Sequence, residues 1–325
     1  MDVLRDQSAC PRPPEGTTVT IGAYDGVHVG HRAVIAEVRR RAAADGLRTA
    51  VVTFDRHPAS VVRPESAPRL LTDLDQKLEL LAETGIDYCL VVTFDEARSL
   101  ESPEDFVQEV LVDCLNARVV VVGEDFHFGH GRAGNVPLLR KLGAEAGFAV
   151  EGLDLVGPDG RPAAENGQVS STRIRHLLAE GELDQANALL GRPYELRGVV
   201  DRGDGRGGPE LGFPTANVSV PGDLLLPADG IYAGWHERPG GAVHPAVVYI
   251  GRRPQFYVEA HASLVESHLL DFEGDLYGEP ARVRFTARLR GDRRFESVEA
   301  LIEQMRRDCD EARRLLGVAG PDAGA

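Results

Sequence analysis

The first half of the chain alternates short, continuous apolar runs with stretches whose apolar residues recur at helical spacing. The runs 18–22, 49–54 (Thr49-Ala50-Val51-Val52-Thr53-Phe54), 89–94 (Cys89-Leu90-Val91-Val92-Thr93-Phe94) and 118–122 predict strands buried on both faces. Between them 32–45, 72–84 and 103–115 predict helices. In the first, Val34, Ile35, Val38 and Ala42 form one apolar stripe. In the third, Ser102 caps, Pro103 opens the helix, and Glu104 and Asp105 sit in its first turn. Apolar strands separated by helices predict an α/β Rossmann-like domain, a parallel sheet with helices on both faces. Ligands of such sheets bind beyond the carboxyl ends of the strands, here 22–31, 55–58 and 123–131.

After residue 190 the period shortens. Segments 194–202, 231–237, 245–250, 263–272 and 281–290 predict strands joined by Gly/Pro/Asp-rich loops, an antiparallel β-barrel domain. A final helix starts at Ser297, with Leu301, Met305, Ala312 and Leu315 on one side. Two short helices, 171–180 and 183–190, lead to a boundary at Gly191-Arg192-Pro193. The expected organisation is a domain over 1–190, a second over 191–318 and a flexible tail over 319–325.

Composition narrows the class. At 325 residues the chain has room for two cores, and 42% hydrophobic with 27% charged residues is the balance of a soluble globular protein. Neither a membrane span nor a secretory leader is present in the sequence, so a cytoplasmic protein is expected. Cys10, Cys89, Cys114 and Cys309 are widely spaced without a Cys-x-x-Cys pair, which predicts reduced thiols and neither a disulfide framework nor a structural zinc. A net charge of −15 argues against nucleic acid as a partner but leaves room for a small phosphate ligand. The only lysines are Lys77 and Lys141, neither followed by Ser or Thr, so a P-loop is excluded.

Candidate chemistry falls in separated segments. Gly22-Ala23-Tyr24-Asp25-Gly26-Val27-His28-Val29-Gly30-His31 follows a strand and enters a helix, placing two imidazoles beside an N-terminus that attracts phosphate. Phe54-Asp55-Arg56-His57-Pro58, Gly123-Glu124-Asp125-Phe126-His127-Phe128-Gly129 and Val169-Ser170-Ser171-Thr172-Arg173-Ile174-Arg175 fit the same nucleotide site. Taken singly, the histidine pair reads first as an exposed surface pair, the Ser-Ser-Thr run as an N-cap, and His57 and His127 as structural; it is their conjunction in one domain that points to a nucleotide site. In the second half, Gly203-Asp204-Gly205-Arg206-Gly207-Gly208 reads as a phosphate flap or a solvent-exposed turn. Thr215 and Asn217 share a face and offer neutral oxygens to a magnesium ion. Glu266 and His268 share another face, with Val265, Ser267 and Leu269 opposite; at a barrel mouth Glu266 can take a proton.

On these motifs the chain resembles, along almost its whole length, the bacterial bifunctional riboflavin kinase/FAD synthetase family. The resemblance implies an N-terminal domain that transfers AMP from ATP to FMN, with His28 and His31 catalytic and Gly22, Ala23, Tyr24, Asp25, Gly26, Gly30, Asp125, Ser171, Thr172 and Arg175 binding nucleotide. It implies a C-terminal domain that phosphorylates riboflavin, with Glu266 as base and Gly205, Gly207, Gly212, Phe213, Pro214, Thr215, Asn217, Arg253 and Phe256 binding flavin and ATP. Mg2+ on Thr215 and Asn217 is the implied metal; ATP, riboflavin, FMN and FAD are the implied substrates and products. No nucleic acid or membrane partner is expected, and the protein is expected as a monomer or weak homo-oligomer. Two positions depart from the family pattern. Gly22-Ala23-Tyr24-Asp25 stands for Gly-Asn-Phe-Asp, and Gly251-Arg252-Arg253-Pro254-Gln255-Phe256 for Gly-Thr-(Asn/Arg)-Pro-Thr-Phe. They keep open a paralogue that is mainly a riboflavin or flavin-analogue kinase with weakened FAD synthesis, or a weakly catalytic flavin- or nucleotide-binding regulator.

Overall fold

Consecutive residues of the central strands face opposite layers, and both layers are apolar. A computed structural model describes residues 1–5, 10–153, 157, 168–202, 213–252 and 263–319, and divides the chain into two units, Met1–Ser171 and Thr172–Ala325. In the first unit, strands β1 (Asp2–Leu4), β2 (Thr17–Ile21), β3 (Arg48–Phe54), β4 (Tyr88–Val92), β5 (Ala117–Gly123) and β6 (Ala149–Leu153) form a six-stranded sheet in the order β1-β4-β3-β2-β5-β6. Every pairing in it is parallel. Ala50, Val52, Leu90 and Val92 enter one core layer with Val110, Leu111 and Leu139, while Val51, Cys89 and Val91 enter the other with Ile35, Leu78 and Leu81. That two-sided burial is why the strands read as unbroken apolar runs. The sheet carries the expected α/β class.

Helix α1 (Val29–Asp45) begins three residues before the expected start, because His28 caps it and the first turn forms on polar and small residues. Helix α2 (Leu74–Ala82) is shorter than 72–84 since Asp73 is its N-cap, accepting from the Gln76 N–H. Ser102 accepts from the Asp105 N–H at 3.0 Å and Pro103 opens the next helix, Pro103–Phe106, which continues as a π-helical stretch, Val107–Cys114. Strands β1 and β6 escaped the apolar-run criterion: β1 is three residues long, and β6 carries Glu151 and Gly152.

The expectation of four reduced thiols is corrected. Cys10 and Cys114 form a disulfide across a sequence separation of 104, with Cα atoms 4.8 Å apart. The Arg12 N–H donates to the Cys114 carbonyl (3.0 Å) and Asn116 Nδ2 to the Pro13 carbonyl (2.7 Å), folding this segment onto the helix end. No spacing rule could pair residues so distant. Cys89 and Cys309 are buried free thiols. A closed loop of this length is worth about 4 kcal/mol of unfolded-state entropy. Reduction, or Cys10→Ser, is therefore expected to lower the melting temperature of the first unit by roughly 10 °C. Thermal unfolding followed with and without dithiothreitol checks this; an unchanged transition would contradict it.

In the second unit β7 (Tyr194–Asp201), β8 (Ala216–Ser219), β9 (Gly230–Glu237), β10 (Val243–Arg252), β11 (Ser263–Leu269) and β12 (Pro280–Arg290) close into a barrel in the order β8-β11-β10-β9-β12-β7. Its recorded pairings are antiparallel. The interior is filled by Tyr194, Tyr232 and Phe285, the Phe285 ring lying 6.2 Å from that of Tyr194 and 5.4 Å from that of Tyr232 by centroid. The helices Ser171–Glu180 and Leu183–Leu190 precede the barrel, and Asn187 ties the second to it through the Tyr194 N–H (2.8 Å) and the Phe285 carbonyl (3.0 Å). The last helix, Val298–Leu316, is capped by Ser297 as expected. Its buried row shares Ala312 with the expected stripe and adds Asp308 and Cys309, while Leu315 faces outward. Asp308 is tolerated there because Arg290 Nη2 meets its carboxylate at 2.7 Å and Gln304 Nε2 donates at 2.7 Å.

Candidate functional site

The turn after β2 takes an unfavourable backbone path. Tyr24 (φ 50°), Gly26 (φ 83°) and Val27 (φ 38°) are left-handed, which at a β-branched residue costs about 1–3 kcal/mol. Many contacts hold it. The Tyr24 hydroxyl pairs with Thr20 Oγ1 at 2.7 Å inside the core, and burial pushes its pKa up. Asp25, 5% exposed, accepts from the Leu71 N–H (2.9 and 3.1 Å) and the Thr72 N–H (3.2 Å), and the Gly26 N–H donates to Thr72 Oγ1 (3.1 Å). Lys77 Nζ donates to the carbonyls of Phe54 (2.7 Å) and Ala23 (3.3 Å), and Thr53 Oγ1 also donates to the Ala23 carbonyl (3.1 Å). Burial lowers the Lys77 pKa, and the nearby Asp25 carboxylate opposes that shift. Sequence reading passed over Lys77 as a site-building residue, although its being one of two lysines was a signal.

The two histidines come together at the helix start. His28, 4% exposed, is the N-cap of α1: its Nδ1 accepts from the His31 N–H at 3.3 Å. The rings stack, centroids 3.6 Å apart and planes at 15°. Since Nδ1 supplies a lone pair to the cap, the proton of neutral His28 sits on Nε2, which makes Nε2 a donor. A Cβ at position 30 would lie 3.2 Å from the His28 ring, so the glycine leaves that ring its room.

These residues line a cavity of about 1330 Å³ beyond the strand ends. All four segments singled out in the sequence contribute to its wall: Gly22, Ala23, Tyr24, His28, Gly30 and His31; Phe54 and His57; Asp125 and His127; and Ser170 with Ser171. Asp25 and Gly26 are not in the wall but brace it, and Ser171 Oγ donates to the Asp25 carbonyl at 2.8 Å. Thr172 and Arg175 belong to the second unit. Sequence reading missed Phe94, Arg98, Glu101 and Phe106, which line the same cavity together with His130 of the 123–131 stretch. There the His130 N–H donates to the Glu101 carbonyl (2.8 Å), joining two loops far apart in sequence.

In the barrel, Asn217 of β8 lies in register with Glu266 of β11, which is in turn in register with Tyr249 of β10. Val265, Ser267 and Leu269 are buried and point inward, so Glu266 and His268 face away from the barrel interior. Glu266 thus faces outward, in register with Asn217 and Tyr249. Burial, followed by the carboxylates of Asp292, Glu266 and Asp229, pushes the Tyr249 pKa up, so this is an acidic patch. His268 Nδ1 bonds the Pro214 carbonyl (2.8 Å) and its ring meets Phe213 edge-on at 5.4 Å, holding the start of the Pro214-Thr215-Ala216-Asn217 segment. Ala216 is buried while Thr215 and Asn217 are half-buried, as alternation requires. Gly205, Gly207, Gly212, Arg253, Gln255 and Phe256 lie outside the described residues. No group of three or more His, Cys, Asp and Glu among the described residues can hold a metal ion.

His236, 1% exposed inside the barrel, bonds Ser267 Oγ at 3.1 Å and is pushed down to about 4 by burial, then by His244 and Arg238. Its folded value lies below the unfolded one, so its neutral form carries stability that is complete above about pH 6.5 and is lost as pH falls toward 4. A loss on the order of 3 kcal/mol follows. Urea midpoints between pH 7 and 4.5 measure it, and His236→Gln is expected to flatten the slope; an equal slope in the variant would refute the assignment.

A sheet whose strand ends surround a histidine-capped helix start, joined in one chain to a closed barrel carrying a paired Asn and Glu, defines a two-domain nucleotide-handling transferase. The FAD synthetase family matches residues 10–173 and the riboflavin kinase family residues 190–316. The chain belongs to the bifunctional riboflavin kinase/FMN adenylyltransferase family. It is 37% identical over 314 residues to the protein of that name from Escherichia coli (strain K12), spanning 95% of this chain and 96% of the relative. It is 38% identical over 308 residues to the one from Pseudomonas fluorescens, spanning 95% and 94%. A crystal structure described as a macrolide-efflux protein from Streptococcus pneumoniae superposes with a TM-score of 0.82 at 26% identity, covering 96% of this chain and 98% of that one. No helix among the described residues is long and apolar enough to cross a membrane.

Proposed function

We propose that this chain phosphorylates riboflavin to FMN with ATP in its barrel and adenylylates FMN to FAD with a second ATP in its α/β domain, releasing pyrophosphate. The observation that carries the reading is the convergence of the His28–His31 helix start with three further candidate segments on one cavity. In adenylyl transfer an FMN phosphate oxygen attacks the α-phosphorus of ATP while the bond to pyrophosphate breaks, with no covalent enzyme intermediate. His28 Nε2, the His31 ring and the N–H groups of the α1 start face negative charge that grows on the phosphates. Ala23 does not remove this apparatus, because its carbonyl is held by Lys77 and Thr53 whatever the side chain at position 23.

In the kinase reaction the ribityl hydroxyl attacks the γ-phosphorus and ADP leaves. Glu266 takes the hydroxyl proton. Thr215 and Asn217 supply neutral oxygens, a donor set that suits Mg2+, and they would hold the ion. Bound there, Mg2+ neutralises ATP phosphate charge. ATP as donor for both steps places the enzyme in the cytoplasm. Incubating the purified protein with riboflavin, ATP and magnesium, then separating flavins by chromatography, tests the reading: FMN followed by FAD is expected, and FMN alone would withdraw the adenylyltransferase assignment.

A further inference from the structure

The lining of the first cavity contains an ion pair that the reaction described so far does not use. Arg98 and Glu101 both line the cavity and are bonded to each other, with side chains only 18% and 11% exposed. Burial pushes the Glu101 pKa up. Their mutual bond occupies one edge of each group. Arg98 Nη1 serves Glu101 and, at 3.3 Å, Glu109, while Arg98 Nη2 and Nε and Glu101 Oε2 take no partner among the described residues. An ion pair largely withdrawn from water is favoured when its remaining polar edges find partners. Two aromatic residues, Phe94 and Phe106, line the same cavity, and the backbone under the pair is fixed: the His130 N–H holds the Glu101 carbonyl and His130 Nδ1 meets the Ser99 carbonyl at 3.0 Å. The pair also borders a smaller cavity of about 540 Å³, but none of the residues lining that one is aromatic.

We infer that Arg98 and Glu101 read the pyrimidinedione edge of the FMN ring. This rests on the adenylyltransferase reading and deepens it. An isoalloxazine needs an aromatic wall for its faces and, along one edge, a donor flanked by acceptors. Arg98 Nη2 and Nε donate to a ring carbonyl, and Glu101 Oε2 accepts from the ring N3–H. Adenine presents a different edge, an amino donor beside a ring-nitrogen acceptor with no imide. A carboxylate fixed by an arginine is a demanding partner: methylation at N3 leaves it facing a group that cannot donate.

The test uses the full-length protein, FMN and its N3-methyl derivative, with FAD-type product formation followed at varied flavin and varied ATP. For the wild type, N3-methyl FMN is expected to show kcat/KM lowered roughly tenfold or more. Replacing the pair by apolar residues, Arg98→Leu with Glu101→Leu, leaves no unpaired buried charge and is expected to keep the melting temperature. That variant is expected to lose roughly tenfold in kcat/KM for FMN and to stop distinguishing the two flavins, with KM for ATP unchanged; Glu101→Gln is expected to lose the distinction in part. A wild type indifferent to N3 methylation, a double variant that still discriminates, or an effect falling on the KM for ATP overturns the inference and leaves the adenylyltransferase reading standing. Failure of the wild type to adenylylate FMN at all removes both.

Discussion

Alanine in place of His28 is expected to lower FAD formation from FMN and ATP by about 10²–10³-fold and to leave riboflavin phosphorylation at its wild-type rate. The magnitude is that of removing one preorganised donor from a site where phosphate charge grows. The direction follows from the cap: His28 Nδ1 is committed to the His31 N–H, so its one remaining polar atom, Nε2, is a donor on the cavity wall. The same substitution removes an N-cap worth about 1 kcal/mol, and this must be separated from the chemical effect. His28→Asn does so, since asparagine caps helices and also offers an N–H donor. We expect it to match the wild type in melting temperature and to recover part of the rate. The measurement is FAD by chromatography with FMN supplied; an alanine variant within threefold of wild type would place the chemistry elsewhere in the cavity.

Much of this site was legible because its parts are local. A strand end, a glycine turn, a cap and a helix start are all encoded within 18–31, and each of the four candidate segments reaches the cavity through the strand or helix it belongs to. What escaped were features made by the chain meeting itself. Lys77 builds the turn from 54 residues away, and its role depends on the Ala23 and Phe54 carbonyls being aimed at it. The Arg98–Glu101 wall is fixed by His130 from another loop, and the Cys10–Cys114 bond spans a separation of 104. Asp25 reads as a ligand-facing carboxylate in a phosphate turn, yet it is spent on the Leu71 and Thr72 N–H groups. The last helix was legible only in part: Ala312 of the expected stripe is buried, but Arg290 lets the Asp308 carboxylate join the buried row, which hydropathy alone does not select, and Leu315 is exposed.

Glu266→Gln is expected to lower riboflavin phosphorylation by about 10²–10⁴-fold while FAD formation from supplied FMN continues. Glutamine keeps the size and one acceptor oxygen and removes only the capacity to take a proton. The surroundings suit a base: Glu266 stands in register between Asn217 and Tyr249, with Asp292 and Asp229 adding negative charge to the same patch. Because the two losses fall on different units, the variants are complementary. His28→Ala makes FMN but not FAD; Glu266→Gln makes FAD only from FMN. Mixed and given riboflavin and ATP, they are expected to restore FAD after a lag set by FMN accumulating in solution. A mixture that makes FMN and no FAD, while Glu266→Gln alone still converts supplied FMN at the concentration reached, would mean that FMN does not leave the protein that makes it.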